Sequence, residues 1–177
     1  LICSTEEEKK EAMFYATQAR ESKEYYYHEK VGYNYRLSNI CAGIGRGQME
    51  VLPDRVIRRR EIHSLYRELL KGVKGITLKE APNSDFYSNY WLSCVSVDSN
   101  ITGKTASDIM HDLADENIES RLLWRPMHMQ PLYASVPFYG DHTSDRIFES
   151  GLCLPSGSIL TNEDIHRVVE VIKLSIK

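Results

Sequence analysis

Apolar positions toward the end of the chain repeat at helical spacing. Ile165, Val168, Val169, Ile172 and Ile176 share one face of a helix beginning at Thr161. Ala106, Ile109, Met110, Leu113 and Ala114 do the same between Thr105 and Glu116. Between Tyr90 and Val97 the period falls to two, with Trp91, Ser93, Val95 and Val97 on one side and Leu92, Cys94 and Ser96 on the other. That alternation predicts a strand. Together these stripes predict a small sheet covered by two helices, burying Trp91, Val95, Ile109, Leu113, Val168 and Ile172 in one core. Ile118 to Leu123 reads as a further short strand. Trp124 to Tyr139 is interrupted by Pro126, Pro131 and Pro137 and reads as an ordered loop. Ser144 to Ser150 reads as a short helix closed by Gly151.

The first half is patterned differently. Leu1 to Ser4 is short and apolar, like the end of a buried strand. Thr5 with Glu8 matches a capping box, which predicts a helix from Glu6 to about Ala19. Arg20 to Tyr35 is polar and rich in tyrosine, and reads as a loop. A helix is expected from Leu37, where Ser38 and Asn39 can cap it, to about Val51. Pro53 tolerates only a first-turn or kink position, so a bend or restart is expected there. A second helical stretch to about Leu70 carries Ile62, Leu65, Tyr66 and Leu69 on one stripe, ended by Gly72 and Gly75. The chain thus reads as an α/β protein in which helices outnumber strands, with a boundary between Gly72 and Ser88.

Composition narrows the classes. The 177 residues are 42% hydrophobic and 27% charged, enough for a real core without staples. A net charge of -3 gives no basic field for nucleic acid. No apolar run approaches the roughly 20 residues of a membrane span. The opening Leu1-Ile2-Cys3 carries no leader pattern and no initiator Met, so Leu1 reads as a cut point inside a longer protein. Cys3, Cys41, Cys94 and Cys153 are widely spaced with no C-x-x-C pair, which predicts free thiols in a reducing compartment.

Several motifs carry no chemistry. The run Gly43, Gly45, Gly47 sits in a helical pattern without a preceding strand, so it is not a dinucleotide fingerprint. Small residues there suit close helix packing. The six histidines form no H-x-x-x-H pair, and no metal site is expected. Arg55, Arg58, Arg59 and Arg60 read as a solvated helical face paired with Glu50 and Glu61.

Two segments are richer. Gly32-Tyr33-Asn34-Tyr35-Arg36-Leu37-Ser38-Asn39 sets an amide, a guanidinium and two phenols beside a helix start. Asn offers N–H donors and Arg a fork suited to phosphate, though a capped loop has the same composition. Glu119 to Pro131 crowds Arg121, Trp124, Arg125 and His128 into a stiff loop. Such a group suits a phosphorylated or sugar-like ligand, and equally a crossover loop with exposed charges.

These segments resemble the pyridoxal-phosphate-dependent nucleotide-sugar aminotransferases of the DegT/DnrJ/StrS type. The likeness runs from Gly32 to Leu52, through Arg58-Arg59-Arg60-Glu61-Ile62 and Ile118 to Pro131, to Phe148-Glu149-Ser150-Gly151-Leu152-Cys153-Leu154-Pro155-Ser156-Gly157 and Thr161-Asn162-Glu163-Asp164. Tyr15-Ala16-Thr17-Gln18-Ala19-Arg20-Glu21 is most similar to enzymes aminating C4 of a UDP-4-keto-6-deoxy sugar in bacillosamine-type pathways.

The resemblance implies the C-terminal part of a fold-type I aminotransferase. Residues 1–36 would be the tail of the large cofactor domain, 37–72 linking helices and 73–177 a small α+β domain. It implies a cytoplasmic homodimer using pyridoxal phosphate to move an amino group, usually from glutamate, to a nucleotide-linked keto sugar by double displacement. No catalytic residue is expected in this chain, because the family's Schiff-base lysine precedes the segment resembling Leu1 to Ser4. None of Lys9, Lys10, Lys23 or Lys30 has the matching context, so the chain alone is expected to be inactive. Asn34 would reach the partner subunit's cofactor phosphate, and Arg36 the phosphates of the sugar nucleotide. Arg121, Trp124 and His128 would face the substrate. Leu122 stands where the family commonly has proline. A non-catalytic binding protein on the same scaffold, or an aminotransferase of other regiochemistry, would share these segments.

Overall fold

The computed structural model describes residues 1–176. The elements run α1 (Glu6–Ala16), α2 (Asn39–Leu69), β1 (Ile76–Leu78), β2 (Ser93–Val97), α3 (Ser99–Thr102) and α4 (Ala106–Asp115). They continue with β3 (Arg121–Leu122), two 3-10 turns (Met127–Met129 and Pro131–Tyr133), α5 (Thr143–Ser150), β4 (Gly151–Leu154) and α6 (Asn162–Ser175). Two compact units divide the chain between Val51 and Leu52, inside α2.

The second unit holds the core. Its sheet has the order β1-β2-β4-β3 and every neighbouring pair is antiparallel. Ser93, Val95 and Val97 of β2 are buried, while Cys94 and Ser96 are partly exposed. Val95 and Val97 join Ile109 and Leu113 of α4, Ile165, Val168, Val169 and Ile172 of α6, and Ile62 and Tyr66 of α2 in one cluster. Burying each such side chain contributes roughly 1.5–3 kcal/mol. Both covering helices start on a reciprocal cap. Thr105 pairs with Asp108 and Thr161 with Asp164, each hydroxyl accepting an N–H and each carboxylate accepting the threonine N–H. The threonine bonds hold both carboxyls below the usual range.

Several expectations need correction. Trp91 is 60% exposed, because β2 begins only at Ser93 and the alternation does not extend back to it. Leu1 to Ser4 forms no strand, and Leu1 and Ile2 are fully exposed, with no strand beside them among the described residues. The first helix stops at Ala16, where the Thr17 hydroxyl donates to the Met13 carbonyl at 2.7 Å and Gln18 and Ala19 turn to positive φ. α2 passes through Pro53 as one helix of 31 residues, without the expected restart. The strand expected over Ile118–Leu123 is only Arg121–Leu122, since Asn117 has φ 56° and the pairing with β4 covers two residues.

The arginine cluster is a solvated face only in part: Arg55 is exposed and Arg58 pairs with Glu61 at 3.2 Å as expected, but Arg58, Arg59 and Arg60 are half-buried and grip loops. Arg58 donates to the Leu160 carbonyl at 2.6 Å and to Asn162 at 3.1 Å. Arg59 donates to the carbonyls of Trp91 and Ser156, and Arg60 to that of Ser88. Three consecutive helical arginines therefore tie α2 to loops of the second unit. Gly43, Gly45 and Gly47 have no atom within 4 Å of where a Cβ would lie, so no described residue packs closely there.

Candidate functional site

In the first unit, the segment after Gly32 is laid against the end of α1 by backbone bonds. Tyr33 N–H donates to Tyr15 O at 2.8 Å, Gln18 N–H to Tyr33 O at 2.9 Å and Tyr35 N–H to Ala16 O at 3.0 Å. Asn34 faces Thr17 in an antiparallel bridge. Gly32 permits this approach, because a Cβ there would lie 2.1 Å from the Gln18 carbonyl carbon.

Extended backbone alternates its side chains, and Tyr33 and Tyr35 stack on one side with centroids 5.2 Å apart and planes 4° from parallel. Asn34 therefore projects to the other side. Its amide is exposed and has no hydrogen-bond partner among the described residues. The start of α2 is served instead by Ser38, whose hydroxyl accepts the Cys41 N–H at 3.2 Å. Arg36 lines a cavity of about 830 Å³ with Tyr33, Tyr35, Met13 and Ala16.

The second unit brings Arg121 and Trp124 together. Both line a cavity of about 390 Å³ that also takes in Trp91, Glu119, Leu122 and Pro155. The Trp91 and Trp124 rings lie 6.2 Å apart, tilted by 31°. Arg121 makes two bonds to Glu119 Oε1, at 2.6 and 3.0 Å, and stays exposed. Leu122 sits in β3 opposite Leu152, which sets the direction of the chain into the tryptophan.

Trp91 is held from behind. Arg59 grips its carbonyl, and its N–H donates to Asn89 Oδ1 at 3.0 Å. The preceding Tyr90 has φ 46°, a costly conformation for a bulky residue. Its ring lies on His63, and the Arg60 guanidinium stands 5.5 Å from its centroid. His63 is fully buried, and burial, then the charges of Arg67 and Arg60, lower its pKa to about 4 against a smaller opposing effect of Glu80.

The structure separates His128 from that cavity. Its ring stacks on Phe138 at 3.8 Å, and its Nε2 lies 2.7 Å from Asp145 Oδ1. Asp145 Oδ2 lies 2.7 Å from Nδ1 of His142, a contact that holds the carboxyl below its usual range. Sequence reasoning missed Trp91 as a cavity residue and missed His142 and Asp145 altogether. No spacing rule links them to His128, since they meet only when α5 folds back. Arg59 and Arg60 were visible as a cluster, but nothing in their helical spacing told what they grip.

The chain belongs to the DegT/DnrJ/EryC1/StrS aminotransferase family, whose profile matches residues 1–173. It is 40% identical to EpsN of Bacillus subtilis (strain 168), whose name assigns it provisionally to the pyridoxal phosphate-dependent aminotransferases. That match covers 97% of this chain and 44% of EpsN. It is 33% identical to a GDP-perosamine synthase of Escherichia coli O157:H7, over 83% of this chain and 38% of that protein. The aminotransferase TlmJ from Streptoalloteichus hindustanus has the same fold, with a TM-score of 0.77, 24% identity, 97% of this chain covered and 45% of TlmJ. The architecture is that of fold-type I pyridoxal-phosphate aminotransferases. The chain spans less than half the length of these relatives.

Proposed function

We propose that this chain is the substrate-binding and cofactor-completing part of an enzyme that aminates a nucleotide-linked 4-keto-6-deoxy sugar, with glutamate as donor. The observation that carries the reading is the family match over residues 1–173. Pyridoxal phosphate, when bound, supplies the carbonyl that carries the amino group between donor and acceptor. This chain's part is to bind and orient. On this reading residues 1–36 are the tail of the cofactor domain, 37–72 the linking helix and 73–177 the small domain. The Schiff-base lysine lies elsewhere in the full-length protein, and the chain alone does not catalyse transfer.

Asn34 fits the cofactor's phosphate. Its amide is exposed, is on a backbone-braced segment and is not spent on capping α2. Arg36, from the same segment, supplies a charged fork for the phosphates of the sugar nucleotide. Arg121 and Trp124 offer charge and a stacking face to the substrate, while His128, turned onto Phe138 and Asp145 away from their cavity, is left out of that contact.

The phosphate that Asn34 meets belongs to the partner subunit of a homodimer. An exposed stripe on α2 supports that assembly. Ile40, Ile44 and Val51 recur at helical spacing with Gly47 between them, and the N-terminal half of the helix buries no residue in the chain itself. Among the described residues no helix is long and apolar enough to cross a membrane.

The test is amino transfer by the full-length protein loaded with pyridoxal phosphate. Incubated with glutamate and UDP-linked 4-keto-6-deoxy sugar, it should yield the 4-amino sugar, identified by mass and by proton coupling at C4. Cofactor-loaded, folded protein that aminates none of the UDP-, GDP- or TDP-linked keto sugars would contradict the proposal.

A further inference from the structure

We propose that His128, His142 and Asp145 form a binding site for a divalent transition-metal ion, zinc foremost, tying the proline-rich loop to the start of α5. His128 Nε2 and His142 Nδ1 lie 2.7 Å from different oxygens of the Asp145 carboxylate. All three ligand atoms fall within 4.8 Å of one another. Two imidazoles and one carboxylate form a three-ligand set that zinc accepts, with a fourth position for water. Nitrogen donors disfavour calcium and magnesium, and the absence of a thiolate from the set disfavours copper(I).

The cluster is built rather than accidental. The His128 side chain is only 20% exposed and its ring lies on Phe138. Its Nε2 is closed to solvent, yet despite the 2.7 Å approach to Asp145 it has no aligned hydrogen bond. A buried nitrogen facing a carboxylate oxygen without an aligned proton is stabilised by a cation between the two.

His142 adopts φ 59° and ψ 21°, the left-handed region that a residue with a Cβ rarely takes. Asp141 secures that turn by accepting the Thr143 N–H at 3.0 Å, and Arg146 donates to the Asp141 carbonyl at 2.8 Å and to the Thr143 hydroxyl at 2.8 Å. Arg146 is thereby engaged on Asp141 and Thr143, and the carboxylate of Asp145 is left to the imidazoles. Tetrahedral zinc, with bonds of about 2.0–2.2 Å, sets its ligands roughly 3.3 Å apart. Both 2.7 Å contacts then open by about half an ångström: rotation of the exposed His142 ring supplies the one, and a turn of the Asp145 side chain away from the stacked His128 ring the other.

None of the three residues lines the cavity between Trp91 and Trp124, and the inference stands whether or not the chain serves sugar amination. The experiment uses the full-length protein, stripped of metal by chelator dialysis and titrated with zinc against a chromophoric chelator. Wild type should take one zinc per chain that His142→Asn and Asp145→Asn each weaken at least tenfold. Asparagine tolerates the left-handed backbone, so His142→Asn removes the imidazole and keeps the turn. Cobalt(II) should give wild type the visible absorption of a four- or five-coordinate site and give the variants none. Zinc should raise the thermal midpoint of wild type alone. Wild type that takes no zinc, or variants that bind zinc and cobalt as wild type does, would overturn the proposal.

Discussion

His63 lies flat against Tyr90, with ring centroids 3.6 Å apart and planes 6° from parallel. The stack joins a buried position on α2 to the strained residue immediately before Trp91. Through it, the helix that carries the arginine cluster fixes the wall of the tryptophan cavity.

The burial of His63 makes stability depend on pH. Its pKa is lowered from 6.5 to about 4, so the folded state favours the neutral ring. Above pH 6.5 neither state binds the proton and the stability is fully present. As pH falls from 6.5 toward 4, the unfolded chain takes up a proton that the folded chain refuses, and about 2–3 kcal/mol is lost. His63→Phe keeps the stack and removes the titration. Urea unfolding of both proteins at pH 7 and pH 5 should give a smaller loss for the variant.

Tyr66 is the largest fully buried side chain, and its hydroxyl donates to the Pro155 carbonyl at 2.9 Å. Tyr66→Phe leaves that carbonyl without its partner and should cost about 1–3 kcal/mol. Tyr66→Ala adds a cavity and should cost about 3–5 kcal/mol. Denaturant titration of the two variants should give that order.

Much of the second unit was legible because its signals are local and agree with one another. The stripes after Thr105 and Thr161 bury Ala106, Ile109, Leu113, Ile165, Val168, Val169 and Ile172 as read, while Ala114 is exposed and Met110 and Ile176 are half-buried at the edges. β1 and β4 were not read, since Ile76–Leu78 is too short for a period and Gly151–Leu154 is buried at every position. Trp91 misled because an alternating pattern does not mark where its strand begins. In the candidate site, Arg121 and Trp124, read from the sequence as substrate-facing, share a cavity. His128 was read beside them but meets Asp145 instead, because long-range meetings of this kind leave no spacing in the chain.

Gly32 should be intolerant of any side chain. A Cβ there would overlap the backbone of Gln18, and the brace that presents Asn34 would have to move. Overpacking of this kind costs about 1–3 kcal/mol. Gly32→Ala in the full-length protein should therefore speed cofactor loss, whereas Glu11→Gln or Glu11→Ala, at an exposed position of α1, should not. Cofactor release followed by absorbance checks both.

The central claim is that Asn34 completes a cofactor site through its amide. A hydrogen bond to a charged group is worth about 1.5–3 kcal/mol. Asn34→Ala in the full-length protein should then weaken pyridoxal phosphate retention by about one to two powers of ten. Asn34→Asp should be worse, because a carboxylate would face a phosphate dianion. An asparagine that served only the fold would give the reverse order, since Asp caps and turns about as well as Asn. The decisive measurement is the pyridoxal phosphate dissociation constant of Asn34→Asp, taken with its thermal midpoint. The account predicts weaker retention than in Asn34→Ala with the midpoint of the cofactor-free protein unchanged, and an Asp variant that holds the cofactor as wild type does would contradict it.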